Sequence, residues 1–262
     1  MRDLKQTGAA GRAAGSLGAI RRVTYGLYAW SVFIALGVVS LPVLLLTPSL
    51  RHRRAIVSAL ARLVLRLIGM PVMTRGLERI RPPCVVVANH ASYLDGVVMV
   101  AVLPPNFSFV IKREMSAVPL AGTLLRRIGS EFIERRDRLG GARDTRRVLR
   151  LAASGQALVF FPEGTFVAEI GLLRFHIGAF VAAARANLPV IPVALRGTRA
   201  CLPADRLLPR PGPIEVEVLT PLPALMLAPE QRDRPRRLRD GARAALLAAL
   251  GEPDLATPGE DA

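Results

Sequence analysis

Hydrophobic and polar positions follow two different rhythms along this chain. Between Val23 and Leu50 the run VTYGLYAWSVFIALGVVSLPVLLLTPSL carries no charged residue. It exceeds the roughly 20 residues that a helix needs to cross a hydrocarbon core. Ala55 to Met70 form a second helical stretch, apolar on one side, with Arg62 and Arg66 four apart on one face. After Met70, short apolar runs alternate with helical stretches, a texture that predicts an α/β fold with a mostly parallel sheet flanked by helices. The predicted strands are Cys84 to Asn89, Ser108 to Lys112, Ser130 to Arg135, Ala157 to Phe161, Val190 to Leu195 and Ile214 to Leu219. The predicted helices are Gly96 to Val102, Ala121 to Ile128, Asp144 to Ala153, Gly178 to Ala186 and Pro229 to Leu250, with a frayed end beyond. The chain therefore divides into a basic N-terminal tail (1–22), a membrane-anchoring helical segment (23–72), an α/β unit (73–225) and a C-terminal helix with its tail (226–262).

The long apolar run admits two arrangements. Arg21 and Arg22 precede it, and Arg51, Arg53 and Arg54 follow it, so the distribution of positive charge gives no orientation. Tyr25, Tyr28 and Trp30 lie near its start, where amphipathic rings prefer the headgroup level. Pro42 is expected to break the helix near its end. The run is too long for a signal peptide, and no small-residue cleavage motif closes it. Either the two stretches dip into one leaflet and return, as interfacial helices do, or the first is a single-pass anchor followed by a soluble amphipathic helix.

Composition narrows the partners. The 262 residues are ample for a core, and two cysteines, Cys84 and Cys201, provide neither a disulfide framework nor a zinc motif. Thirty-six Lys and Arg against 20 Asp and Glu give a net charge of +16, nearly all of it arginine. A basic chain suits nucleic acid or an anionic membrane. Aromatics are only 5% of the residues and no nucleic-acid-reading motif occurs, so membrane lipids are the expected partner and nucleic acid is not.

The candidate chemistry lies where apolar strands end. His90 follows Asn89 at the end of the first strand, and Asp95 stands five residues on. On a regular helix that offset is about 140° around the axis, so the two side chains meet only if a turn separates them. Ser92, as the cap of a helix beginning near Tyr93, would supply it. Asp95 would then hold one imidazole nitrogen and leave the other as a base. The alternative is structural: Ser92-x-x-Asp95 also resembles a capping box. Phe160 to Thr165 forms a second strand-end loop, in which Gly164 permits a tight turn and Glu163 either fixes a loop or binds a polar headgroup. Arg135 closes a third strand, either as a solvated arginine or as an anion clamp. His176 is open to a packed or a solvent-facing role.

In order and combination these segments resemble the glycerolipid acyltransferase superfamily typified by 1-acylglycerol-3-phosphate acyltransferases, over about Gly76 to Thr220. The Asn-His-x4-Asp motif matches Asn89, His90 and Asp95; the Phe-Ile-x-Arg motif matches Phe132, Ile133 and Arg135, with Gly129 before it. Phe-Pro-Glu-Gly-Thr matches Phe161 to Thr165, and Val-Ile-Pro-Val matches Val190 to Val193. Lys112 and Glu114 match a Lys-x-Glu that often follows the first motif, and Pro119 and Gly122 its continuation.

The resemblance implies an acyltransferase domain over residues 73–225, with His90 as general base and Asp95 orienting it. Asn89, Lys112, Phe132, Arg135, Glu163, Gly164, Thr165 and Arg174 are the implied substrate-binding positions. The donor would be acyl-CoA or acyl-acyl carrier protein, a co-substrate, with no cofactor and no metal. The nucleophile would be a hydroxyl on a lysolipid, first of all 1-acyl-sn-glycerol-3-phosphate, at a membrane, with the cytoplasmic face of a bacterial inner membrane expected. Two positions depart from the family pattern: Phe166 stands where an arginine is common, and His176 where a lysine is. Lys112, Arg135 and Arg174 could compensate, or the acceptor could lack a terminal phosphomonoester, as in a larger lysophospholipid or a lyso-ornithine lipid. A membrane-bound thioesterase and a non-enzymatic protein of anionic membranes are the readings from other classes.

Overall fold

The computed structural model describes residues 3–134, 138–223 and 233–256. Its centre is a seven-stranded sheet in the order β1-β7-β6-β2-β5-β3-β4. The strands are β1 (Val72–Arg75), β2 (Val85–Ala88), β3 (Phe107–Lys112), β4 (Glu131–Ile133), β5 (Ala157–Phe160), β6 (Val190–Arg196) and β7 (Ile214–Val218). All neighbours pair in parallel except β6 and β7.

The pleat sends successive residues to opposite faces, and a strand covered on both faces is apolar throughout. β2 follows this rule, with Val85, Val86, Val87 and Ala88 all at 0% exposure. Val86 and Ala88 face a core shared with helices α2 (Leu50–Leu67) and α3 (Leu94–Val102). Val85 and Val87 face a second core closed by α5 (Arg138–Ala153), α6 (Gly178–Ala186) and α8 (Arg234–Leu250). The short helices α4 (Ala121–Arg127) and α7 (Thr198–Cys201) complete the order.

Several boundaries differ from the sequence expectation. Helix α1 runs from Asp3 to Leu46, so residues 3–22 are helical rather than a tail. Extending a helix already formed downstream costs far less than starting one. Pro42 does not break α1, which runs four residues further. The hydrogen bond that Pro42 removes is among the last of the helix, and its ring lies on the exposed side. β1 was not anticipated: it is a short edge strand, mostly exposed, and lacks the apolar run that marks buried strands. The tail is not frayed as far as Ala256: Asp254 bridges Leu172, whose N–H donates to the Pro253 carbonyl at 2.9 Å. The predicted start of the last helix at Pro229 lies outside the described residues, as does the end of the tail.

Helix α1 lies lengthwise on the rest of the molecule. Gly26, Ala29, Ser40 and Leu44 are buried, with Tyr25, Val32, Phe33, Leu36 and Gly37 partly so, in one helical stripe. The stripe spans 19 residue steps, about 28 Å at 1.5 Å per residue. The opposite face exposes Leu27, Ile34, Val38 and Leu45. The hydroxyls of Tyr25 and Tyr28 donate to the carbonyls of Ile68 and Leu67, which fastens α1 to the end of α2.

Phe180 on α6 is fully buried between sheet and helices. Phe180→Ala should therefore destabilise the fold by about 3–5 kcal/mol, read as a lowered urea midpoint with unchanged slope.

Candidate active site

The carboxyl ends of β2, β5 and β6 meet at one edge of the sheet, where open α/β sheets place their ligand crevices. Asn89, directly after β2, is 3% exposed. Its amide donates to the Leu195 carbonyl at 3.0 Å and accepts from the Leu195 N–H at 2.7 Å, so it stitches the end of β2 to β6. Glu163, in the loop after β5, accepts from the His90 N–H at 2.6 Å through Oε1 and from the Leu173 N–H at 2.8 Å through Oε2. At 4% exposure, with both oxygens engaged by backbone, Glu163 fixes the histidine's main chain. Asn89 and Glu163, both expected at the substrate, use their polar atoms inside the scaffold.

Asp95 joins the two readings that its sequence position left open. It is 0% exposed, and its Oδ2 accepts from the Ala91 N–H at 2.6 Å, the Ser92 N–H at 2.8 Å and His90 Nδ1 at 2.9 Å. It thus holds the turn before α3 and orients the imidazole at once. Ser92 does not act as the helix cap, a position taken by Tyr93. Instead its Oγ donates to the Leu202 carbonyl at 2.6 Å and accepts from the Leu94 N–H at 3.1 Å. Because Asp95 Oδ2 already accepts two backbone N–H groups, it faces the protonated Nδ1. Nε2 is then the unprotonated nitrogen, and among the described residues nothing donates to it. The His90 side chain is 20% exposed.

Aromatic rings wall the imidazole. Phe161 stacks on it at 4.5 Å between centroids, and Phe166 meets it edge-on at 4.6 Å. Tyr93 packs against Phe166 at 4.7 Å and is itself 59% exposed. The sequence marked Phe166 only as a lost cation. Its contact with His90 was missed, and the one available signal was the pair of aromatics flanking Pro162 to Thr165. Gly164 makes that loop possible, with φ of +73° and its N–H bonded to the Phe161 carbonyl at 3.0 Å. Thr165 is exposed beside it.

The remaining predicted positions are more distant. Lys112 ends β3 and pairs with Glu114 at 3.1 Å. Phe132 lies on β4. These strands are second and third from β2, about 10 and 14 Å across at ~4.8 Å per strand. Arg174 is half-buried and His176 exposed, and the His176 N–H donates to the Pro162 carbonyl at 2.8 Å. Arg135 lies outside the described residues; the strand that was expected to reach it ends at Ile133.

Burial pushes the Glu163 carboxyl up to about 7 from an ordinary 4.5. The bonds from the His90 and Leu173 N–H groups oppose the rise, and the Asp95 charge adds to it. A carboxyl raised in the folded state contributes stability that is complete below its unfolded value and is lost as the pH rises through the folded one. The Glu163 contribution should therefore decline between about pH 4.5 and 7. Glu163→Gln cannot titrate, and its amide nitrogen cannot accept the second backbone N–H. It should flatten that part of the stability–pH curve, measured by urea unfolding, and cost about 1–3 kcal/mol for the backbone N–H left without an acceptor.

The family model described as Acyltransferase matches residues 71–196, which contain every residue placed around His90. A 1-acyl-sn-glycerol-3-phosphate acyltransferase of Chlamydomonas reinhardtii is 32% identical over 67% of this chain and 52% of its own length. The human lysophospholipid acyltransferase LPCAT4 is 31% identical over 75% of this chain and 40% of its own. This chain thus spans about half the length of the curated relatives it matches. The crystal structure of the 1-acyl-sn-glycerophosphate acyltransferase PlsC from Thermotoga maritima shares the fold, with a TM-score of 0.74 and 21% identity over 89% of this chain and 96% of that one. On these matches, residues 71–196 carry an acyltransferase domain similar to that of 1-acyl-sn-glycerol-3-phosphate acyltransferases.

Proposed function

We propose that this protein transfers a fatty acyl group from an acyl thioester to the free hydroxyl of a lysolipid, with 1-acyl-sn-glycerol-3-phosphate as the first acceptor. The carrying observation is His90: Nδ1 is held by the buried Asp95 carboxylate at 2.9 Å, and among the described residues nothing donates to Nε2. Nε2 takes the proton from the acceptor hydroxyl as its oxygen attacks the thioester carbonyl. The tetrahedral oxyanion collapses, the carbon–sulfur bond breaks, and the imidazolium returns the proton to the leaving thiolate. Asp95 stabilises the transient imidazolium, and the Phe161 face stacked on it adds a cation–π contribution. The donor is acyl-CoA or acyl-acyl carrier protein, and the reading invokes no cofactor or metal. Phe161 and Phe166 line two sides of the imidazole with apolar surface, which favours transfer over thioester hydrolysis.

The reading places the protein on a membrane, with the arginine-flanked helices against an anionic leaflet and the cytoplasmic face of a bacterial inner membrane as the expected site. A helix packed along about 28 Å against the α/β unit suits an interfacial position, α1 lying in one leaflet, better than a span. Lipid acceptors then reach His90 without leaving the bilayer.

A second acceptor class is supported by Phe166, whose ring stands against His90 where the family pattern favours an arginine. An apolar residue there suits a lysophospholipid or lyso-ornithine lipid, which lacks a terminal phosphomonoester. Lysophosphatidate would then depend on cations further out, Lys112 among them.

Purified protein in detergent or vesicles, given labelled thioesters and a panel of lysolipids, tests these readings. His90→Ala should lower the transfer rate by about 10²- to 10⁴-fold with the far-ultraviolet circular dichroism unchanged. Asp95→Asn should lower both rate and stability, since Asp95 serves the imidazole and the turn together. Full turnover by folded His90→Ala overturns the assignment. Free fatty acid with no dependence on acceptor indicates a thioesterase, and salt-sensitive vesicle binding without turnover indicates a non-enzymatic membrane protein. Phe166→Arg should raise the preference for lysophosphatidate over lysophosphatidylcholine, read as a ratio of kcat/KM values; an unchanged ratio removes Phe166 as the determinant.

A further inference from the structure

The loop between α7 and β7 carries an unexplained exposed leucine. Leu207 is 81% exposed, the most exposed large hydrophobic after Leu46 among the described residues. Its position is fixed rather than loose. The Trp30 indole N–H donates to the Leu207 carbonyl at 2.7 Å. Leu208 packs on α1 so closely that a Cβ on Gly26 would lie 2.7 Å from its Cδ2. The Arg206 N–H closes a turn on the Pro203 carbonyl at 3.2 Å, and the Arg210 N–H donates to the Cys201 carbonyl at 2.7 Å. A single exposed leucine is ordinary on a protein surface, but this one is held out from a braced loop beside the exposed apolar face of α1.

We propose that residues 203–211 form a second membrane contact, contributed by the catalytic domain, in which Leu207 enters the same leaflet as α1. The inference rests on reading α1 as a membrane-bound helix and extends it to a loop whose Leu207 lies 177 residues beyond Trp30 in sequence. Continuity is the first reason. Leu207 sits beside Trp30, and the exposed apolar face of α1 passes through Leu27 and Ile34 on either side of that tryptophan. Tryptophan favours the boundary between headgroups and acyl chains, which sets the level of the loop. Charge is the second reason. Arg206 is exposed next to Leu207 and Arg210 is half-buried three residues on, against the single carboxylate of Asp205. Together with exposed Arg21 and Arg22 on α1, they suit an anionic lipid surface.

The contact has a consequence for the site. Leu202, immediately before the loop, accepts the Ser92 hydroxyl at 2.6 Å, and Ser92 lies in the turn that Asp95 holds beside His90. The loop therefore joins the membrane surface to the histidine turn through one short covalent path and one hydrogen bond. Two contacts, α1 and the loop, fix the tilt of the domain as well as its depth, which a single helix cannot do.

The test uses the full chain and needs no turnover, so its outcome is independent of the acyltransferase reading. Cys84 and Cys201 are buried at 0% and 1% exposure, and burial pushes the Cys84 thiol up to about 12 and raises that of Cys201. A single surface cysteine can therefore be labelled selectively. Leu207→Cys and, separately, Ile34→Cys on the exposed face of α1 would each carry an environment-sensitive fluorophore. Each protein would be mixed with phosphatidylglycerol–phosphatidylcholine vesicles, with and without bromine on the acyl chains. The expected result is a blue shift and bromine-dependent loss of emission at both positions. Trp30 is the only tryptophan, so its own quenching reports the level of the boundary without a label. Quenching at position 34 with a water-like, unquenched probe at position 207 would overturn the loop contact and leave the membrane reading of α1 intact. No quenching at either position would overturn both.

Discussion

One carboxylate oxygen organises the centre of this molecule. Asp95, itself fully buried, receives His90 Nδ1 and the N–H groups of Ala91 and Ser92 on Oδ2. A buried carboxylate without such donors would be strongly disfavoured. With three of them it is bound to one position, and everything donating to it is bound as well. The turn after β2, the start of α3 and the orientation of the imidazole are therefore one structure. This is why the two readings of a Ser-x-x-Asp spacing, helix cap and histidine partner, do not compete here.

The constraint extends outward through long-range contacts. Glu163 holds the His90 main chain from 73 residues away, and Asn89, the residue before it, bonds Leu195 on β6 across 106 residues. The loop that supplies Glu163 is itself held down. Arg243 donates to the Leu172 carbonyl at 3.1 Å and pairs with Asp254, while Arg199 bonds the Gly171 carbonyl and Glu252. The C-terminal segment thus closes over the loop that presents Phe166 and Glu163. The Arg243 hydrogen bond depresses the Asp254 carboxyl to about 2, so this closure stays ionised throughout the physiological range.

How much of this the sequence disclosed follows from the range of each interaction. Buried parallel strands are apolar throughout, so β2, β3, β5 and β6 were legible to within a residue or two, as was α6. His90 and Asp95 were legible because their partnership spans five residues and one turn. β1 was not, because an exposed edge strand has no apolar run to betray it. Asn89 and Glu163 were recognised as site residues, but their backbone partners were not. Nothing local distinguishes a polar side chain aimed at substrate from one spent on a backbone N–H across the sheet. Phe166 was read as a missing charge because spacing reports which residue stands at a position, and not which ring it touches.

On the proposed reading, the placement of α1 bears on how the chemistry meets its substrate. A hydroxyl acceptor with an acyl chain is poorly soluble in water, so a site that draws it from the leaflet must stand at a fixed height above that leaflet. Flexible tethering of an anchor would leave the height undefined. Here the buried stripe from Gly26 to Leu44 and the tyrosine bonds to Leu67 and Ile68 make α1 part of the domain's surface. Its free apolar face is then rigid with respect to β2 and the histidine turn. The sheet edge that sets the imidazole and the helix that sets the depth belong to one rigid frame, and the catalytic geometry can be referred to the membrane plane.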